Sequence, residues 1–207
     1  MKIIAVIPAR GGSKRIPKKN IIDFSGKPMI AWTIEAAIAS NCFTEVFVNT
    51  DSPEIADVAE EYGAKTVFLR DQYEDDYSTV SESTGYYTSR LIEKDFQFDI
   101  VCQLMANCPL RTEETIRSFC EYFENNGIEN LISVVKPKFG NPFWSIEKCS
   151  SGLGSFVFQG KLNSRSQDLS EVFYPTGSIW MAKKDILLKK NSFYADSFSV
   201  KEIPWVE

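Results

Sequence analysis

The 207-residue sequence contains no histidine. Any general base must therefore be a carboxylate, a lysine, a tyrosine or bound water. No apolar run reaches the roughly 18 residues that cross a bilayer, so no membrane partner is expected. The first residues enter an apolar run directly, with no signal-peptide pattern. The five cysteines, Cys42, Cys102, Cys108, Cys120 and Cys149, are odd in number and form no C-x-x-C pair. Reduced thiols in the cytoplasm are the expectation. The net charge is -5, which argues against the broad basic face that nucleic acid requires. Neither G-x-x-x-x-G-K-[ST] nor G-x-G-x-x-G occurs, so the two familiar phosphate-binding loops are excluded. No internal repeat, low-complexity tract or linker divides the chain. Apolar content of 43% and charged content of 25% are ordinary for a globular protein. The length suits a single α/β domain over residues 1–207 with a substantial core.

What is present begins at the N-terminus. Ile3 to Ile7 has the length and β-branched content of a buried strand. Arg10, Lys14, Arg15, Lys18 and Lys19 follow at once, with Gly11 and Gly12 among them. Glycines permit a tight turn and a close approach of backbone amides to a ligand, and the cations supply charge. Loops at the carboxyl ends of parallel strands line the binding crevice of α/β proteins. A nucleoside triphosphate is the best-matched anion; a solvated basic loop is the other reading of this composition.

Residues 28–40 read as a helix with Pro28 at its first position and Ile30, Ile34, Ala37 and Ile38 as its apolar stripe. Val46 to Thr50 is a second strand. Ser52 caps a helix that Pro53 opens and Gly63 closes. Thr66 to Leu69 is a third strand. This alternation predicts a mostly parallel sheet with helices on its faces. Arg70 ends that strand, either as a surface charge paired with Asp71 or as a site residue. An acidic stretch to Asp76 and the hydroxyls of Ser78, Thr79, Ser81 and Ser83 follow. A helix is expected over 80–94, a buried strand over 100–105, and a helix after Thr112 that Gly127 ends. Leu131 to Val135 is a further strand. Residues 137–182 are rich in aromatics and turn residues and break the alternation. They are expected to form short irregular or antiparallel strands, with an apolar excess of the kind that marks an interface. A short helix over 182–190 and a last strand over 197–203 complete the chain.

The run Ala9-Arg-Gly-Gly-Ser-Lys-Arg-Ile-Pro-Lys-Lys-Asn20 resembles the nucleotide-binding signature of the acylneuraminate cytidylyltransferases, the CMP-sialic acid synthetase family. The resemblance implies a nucleotide-diphospho-sugar transferase-like fold. It implies that Arg10, Gly11, Gly12, Ser13, Lys14, Lys19 and Asn20 handle CTP, with Arg10, Lys14 and Lys19 near its phosphates and catalytic. It implies that Arg70, Ser78 and Thr79 surround the cytosine, although the family usually has proline where this chain has Asp71. Pro109-Leu110-Arg111 resembles the end of the family's Gln-Pro-Thr-Ser-Pro-Leu-Arg, with Met105 in place of the glutamine that contacts the sugar. Gln103, on the same side of the strand, either takes over that contact or is a polar residue satisfied by neighbouring backbone. Asn141-Pro-Phe-Trp144 and Arg165-Ser-Gln-Asp-Leu169 through Trp180 resemble the segment by which family members form a homodimer. By resemblance, Arg165 and Gln167 serve the partner's sugar site, although Ser166 separates them; the other reading of Arg165 is a rim charge. Family members continue into an Ile-Asp-Ile-Asp-like segment that helps hold Mg²⁺. Here the chain stops at Trp205-Val-Glu207, so either the form is truncated or the metal is held differently, with Asp75 and Asp76 as upstream candidates.

The resemblance implies transfer of CMP from CTP to the anomeric hydroxyl of a nine-carbon 2-keto sugar acid, with release of pyrophosphate. The departures at Met105 and Ser166 point away from N-acetylneuraminate toward a related acid such as pseudaminic or legionaminic acid. The alternatives are a 3-deoxy-manno-octulosonate cytidylyltransferase and a CTP-binding protein without turnover.

Overall fold

The computed structural model describes every residue except 14, 74–76, 162–163 and 206–207. In chain order the elements are β1 (Ile3–Pro8), a small hairpin of β2 (Asp23–Phe24) and β3 (Lys27–Pro28), α1 (Met29–Ala39), β4 (Glu45–Asn49), α2 (Pro53–Glu61) and α3 (Val80–Glu93). Then come β5 (Ile100–Leu104), α4 (Glu113–Asn125), β6 (Asn130–Val135), a second hairpin of β7 (Ile146–Lys148) and β8 (Gly154–Phe156), β9 (Tyr174–Lys183), α5 (Lys184–Lys190) and β10 (Ser199–Glu202).

Six strands form the central sheet in the order β10-β6-β9-β5-β1-β4. β1 pairs in parallel with β4 and with β5, and β10 in parallel with β6. β9 runs against both β5 and β6. The sheet is buried on both faces because β1 is apolar at every position, not alternating. Ile3, Ala5 and Ile7 face a core built with Ile30 and Ile34 of α1, Ile55 of α2, and Phe119 and Phe123 of α4. Ile4 and Val6 face the opposite core, built with Tyr87 and Leu91 of α3 and Leu187 of α5. Helices therefore cover both faces, and the expected mostly parallel, helix-flanked sheet is what forms. Among the described residues no helix is long and apolar enough to cross a membrane.

Three expectations need correction. Thr66–Leu69 is not a strand: β4 is met only by a parallel bridge between Phe47 and Lys65, after which Arg70 N–H donates to Thr50 O at 2.8 Å. The segment runs beside the edge strand without entering the ladder. The expected excursion at 137–182 also ends too late. Residues from Tyr174 onward are β9, which fills the middle of the sheet, and Trp180 packs into the core on the α3 side. The exposed apolar surface is narrower, with Phe139, Ile146 and Leu153 at 87%, 61% and 73% exposure. Pro28 stands one place earlier than expected, at the N-cap of α1.

Candidate active site

The carboxyl ends of β1 and β5 open into one pocket, and Thr50, just past the end of β4, holds Arg70 on its wall. It has a volume of about 240 Å³ and is walled by Arg10, Lys19, Arg70, Tyr73, Met105 and Asn107, among others. A second cavity of about 300 Å³ shares Arg10, Lys19, Asn20 and Asn107 with it and adds Ser13 and Arg15. The two adjoin, so the strand ends carry a trough with cations along both halves. A crevice of this kind beyond parallel strand ends is where α/β sheets bind ligands.

The basic loop is held from three sides. Gly11 N–H donates to Asp51 Oδ1 at 2.8 Å. Asn20 Nδ2 donates to Arg10 O at 3.0 Å, and Asn20 O accepts from Ile30 N at 2.8 Å. Lys18 takes a left-handed backbone with φ of 51° and turns its ammonium to Glu54 on α2, at 2.7 Å. That twist leaves its neighbour Lys19 on the trough. The glycines act differently from what composition implies, since neither lies in the left-handed region. Gly11 is needed for proximity: a Cβ there would stand 3.0 Å from Ser52 Cβ, at the cap of α2. Gly12 faces open space.

Arg70 is 5% exposed. Its Nη1 donates to Ser83 Oγ at 2.7 Å and reaches Asn49 Oδ1 at 3.5 Å, while Nη2 lies 3.8 Å from Asp51 Oδ1. The reading of Arg70 as a surface charge paired with Asp71 is therefore overturned. The Asp71 carboxylate instead accepts from Tyr86 OH on α3 at 2.5 Å. That bond holds the Asp71 carboxyl below its usual range and pushes the Tyr86 phenol up. A buried guanidinium fixed by a hydroxyl, an amide and a carboxylate is a rigid cationic wall.

Ser78 and Thr79 line the same pocket. Thr79 is also the N-cap of α3: its hydroxyl accepts from Glu82 N at 3.2 Å, and Glu82 Oε2 accepts from Thr79 N at 2.7 Å. Lys14 lies outside the described residues, as do Asp75 and Asp76. Gln103 does not reach the pocket. It is fully buried, with Oε1 accepting from Thr84 Oγ1 at 2.7 Å; the strand end turns Met105, not Gln103, to the wall. Arg165 is exposed and forks onto Asp168 at 2.7 and 3.1 Å. Gln167 lines a separate groove of about 520 Å³ with Lys136, Asn141 and Trp144. Within one chain, neither residue belongs to the strand-end pocket.

Several contributors were missed by sequence reading. Asn49 and Asp51 position Arg70 and Gly11 from the end of β4. Tyr73 and Asn107 stand on the pocket wall beside Ser83, one of the hydroxyls noted after Arg70. Arg111, 2% exposed, donates to Ser178 O at 2.6 Å, to Thr33 Oγ1 at 2.9 Å and to Met105 O at 3.3 Å. It clamps the turn after β5 to β9 and α1, so the Pro-Leu-Arg run serves the scaffold that carries Met105. For Asp51 the only sequence signal was its place just beyond a predicted strand, while Arg111 stood out through the Pro-Leu-Arg run without its scaffold role being readable.

A family model described as cytidylyltransferase matches residues 4–155. A pseudaminic acid cytidylyltransferase of Campylobacter jejuni is 35% identical over 99% of this chain and 88% of its own length. A CMP-N,N'-diacetyllegionaminic acid synthase of Legionella pneumophila is 37% identical over 95% of this chain and 84% of its own. Among solved structures, a CMP:2-keto-3-deoxy-manno-octonic acid synthetase complexed with CTP superposes with a TM-score of 0.68, covering 98% of this chain and 90% of that one. At 21% identity it attests to the shared fold. A 4-diphosphocytidyl-2C-methyl-D-erythritol synthase of Anaerococcus prevotii does likewise, with a TM-score of 0.67 and 14% identity over 99% of this chain and 90% of that one. With the family model spanning most of the sequence and named enzymes matching it nearly end to end, the chain belongs to the cytidylyltransferase family of nucleotidyltransferases.

Proposed function

We propose that the strand-end trough binds CTP and that the enzyme transfers CMP to the anomeric hydroxyl of a nine-carbon 2-keto sugar acid. The observation that carries this reading is the joining of two cation-lined cavities through Arg10 and Lys19. One suits a triphosphate. The other, walled by Arg70, Ser78 and Thr79, suits the nucleoside. In the reaction the sugar oxygen attacks the α-phosphorus, the bond to the β-phosphate oxygen breaks, and pyrophosphate leaves. Negative charge builds on the phosphoryl oxygens, where Arg10, Lys19 and the loop amides are suited to meet it; Lys14 is assigned there too, from its place in the sequence. Preorganised donors of this kind need no rearrangement as charge develops. With no histidine in the chain, the hydroxyl proton leaves to a carboxylate, a lysine, a tyrosine or water.

Mg²⁺ is expected to accompany the triphosphate. Among the described residues no group of three His, Cys, Asp or Glu side chains forms a metal cage. Mg²⁺ at such sites is held by one or two carboxylates, with substrate phosphates and water supplying the other ligands. The residues already named hold and orient the nucleotide.

Support for the sugar class comes from the relatives named for pseudaminic and legionaminic acids and from Met105, an apolar residue on the pocket wall. The exposed Phe139, Ile146 and Leu153 support a homodimer, in which Arg165 and Gln167 would serve the second copy. The test is pyrophosphate release with CTP and a panel of sugar acids: pseudaminic, legionaminic, N-acetylneuraminic and 3-deoxy-manno-octulosonic. Turnover with the first two is expected. Preference for the octulosonate would move the assignment to the eight-carbon acid, and preference for N-acetylneuraminate would overturn the argument from Met105.

A further inference from the structure

Tyr73 stands on the pocket wall in a backbone conformation that tyrosine rarely adopts, with φ of 59°. A non-glycine residue persists there only when its surroundings over-determine it. Two residues before it, Asp71 is exposed to solvent, yet its carboxylate is fixed by Tyr86 OH at 2.5 Å. The Tyr86 ring in turn packs against Tyr73, with centroids 5.5 Å apart and planes tilted by 50°. One residue earlier still, Arg70 is locked to the end of β4 through Thr50 O and Asn49. The chain from Arg70 to Tyr73 is thus pinned at one end to the sheet and at the other to α3. The ring at its tip is placed between Tyr86 and the pocket.

We propose that Asp71 and Tyr86 are positioning residues that hold the Tyr73 ring against the bound nucleotide, an inference that rests on the CTP reading of this pocket. The position of Asp71 gives the device its specificity. A carboxylate directly after the buried arginine reaches across to α3 and accepts from a phenol there, adding a side-chain tie to the backbone bond that Arg70 makes with Thr50. A tyrosine face held in place offers a flat apolar contact to a base or ribose, and a pre-placed ring loses little freedom on binding.

The test is calorimetric titration of the whole chain with CTP. Tyr86→Phe removes the hydroxyl and keeps the ring. Removing one such anchor is expected to weaken CTP about fivefold, the effect of one net hydrogen bond. Asp71→Ala should do the same, whereas Asp71→Asn, which keeps an acceptor, should bind within about twofold of wild type. Because both residues act through Tyr73, neither change should weaken CTP further in a Tyr73→Ala background. Unchanged affinity in Tyr86→Phe and Asp71→Ala would overturn the proposal, as would losses that simply add to that of Tyr73→Ala. Should Tyr86→Phe also lower the melting temperature, the exposed Asp71 pair of variants decides. A wild-type chain that binds no CTP would overturn the nucleotide reading, and this inference with it. Tight wild-type binding with indifferent variants would overturn this inference alone.

Discussion

At the scale of single residues the account depends on where charge is fixed. Arg10 sits on both cavities, with its carbonyl tied to Asn20, while Arg70 is buried and held by Ser83, Asn49 and Asp51. Arg10→Ala is expected to lower turnover by on the order of 10²–10³ while weakening CTP much less, because its contact strengthens as charge develops. Steady-state rates set against calorimetric affinity measure the split. Normal turnover in a folded variant would reduce Arg10 to a surface charge. The Asp71 bond adds a pH consequence. Its carboxyl is held below the usual range by Tyr86, so whatever order that bond gives is complete above an ordinary Asp pKa of about 3.9 and is lost only as pH falls through the lower folded value. The contribution of Asp71 to CTP affinity should thus stay constant between neutral pH and mild acid. Arg10, Lys19 and Asn20 were legible in the sequence because they belong to one short basic, glycine-containing segment that follows a strand. Asn49 and Asp51 were not, because they act on residues 21 and 40 positions away through contacts that only the fold creates. Gln103 misled because strand alternation specifies a face and not a depth, and at its position that face is roofed by Thr84 of α3.

At the scale of elements, α3 joins stability to the site. Its first turn supplies Thr79, Val80 and Ser83 to the pocket, and its start is fixed by a reciprocal cap between Thr79 and Glu82. Thr79→Ala removes that cap and should cost about 1 kcal/mol, a fall of roughly 2–4 °C in melting temperature for a chain of this size. Because the same turn walls the pocket, saturating CTP should recover less stability in the variant than in wild type. A variant that melts like wild type would show the cap to be idle. Two helix starts were readable from local chemistry alone: Ser52 and Thr112 each accept from a first-turn amide, as Thr79 does unforeseen at the start of α3. β9 was not, because its aromatics sit beside those of an exposed hairpin and nothing local distinguishes a strand running against its neighbours in mid-sheet. Nor was the lack of a ladder at Thr66–Leu69 legible: the β-branched run is there, but pairing stops after Lys65.

At the scale of the molecule, the apolar surface outside the trough is concentrated between Phe139 and Phe158. Large exposed apolar patches of this kind mark association surfaces. Sedimentation equilibrium at micromolar concentration is expected to give about twice the 23.5 kDa chain mass, and Phe139→Asp with Leu153→Asp should return the monomer. A wild-type monomer that turns over normally would remove both the dimer and the shared sugar site. The general architecture was legible because the alternation of strands and helices dictates a parallel sheet. That the basic loop and Arg70 serve one nucleotide site was implied by the resemblance; that Tyr73 and Asn107 wall the same pocket was not legible, since these residues meet only after the strand ends align. Hydrogen exchange with and without CTP tests that central claim most directly. The account predicts slowed exchange in peptides covering residues 9–20 and 70–83 with CTP, much less with ATP, and no change at residues 136–144 and 167–172. Protection confined to the second region, or equal protection by both nucleotides, would contradict it.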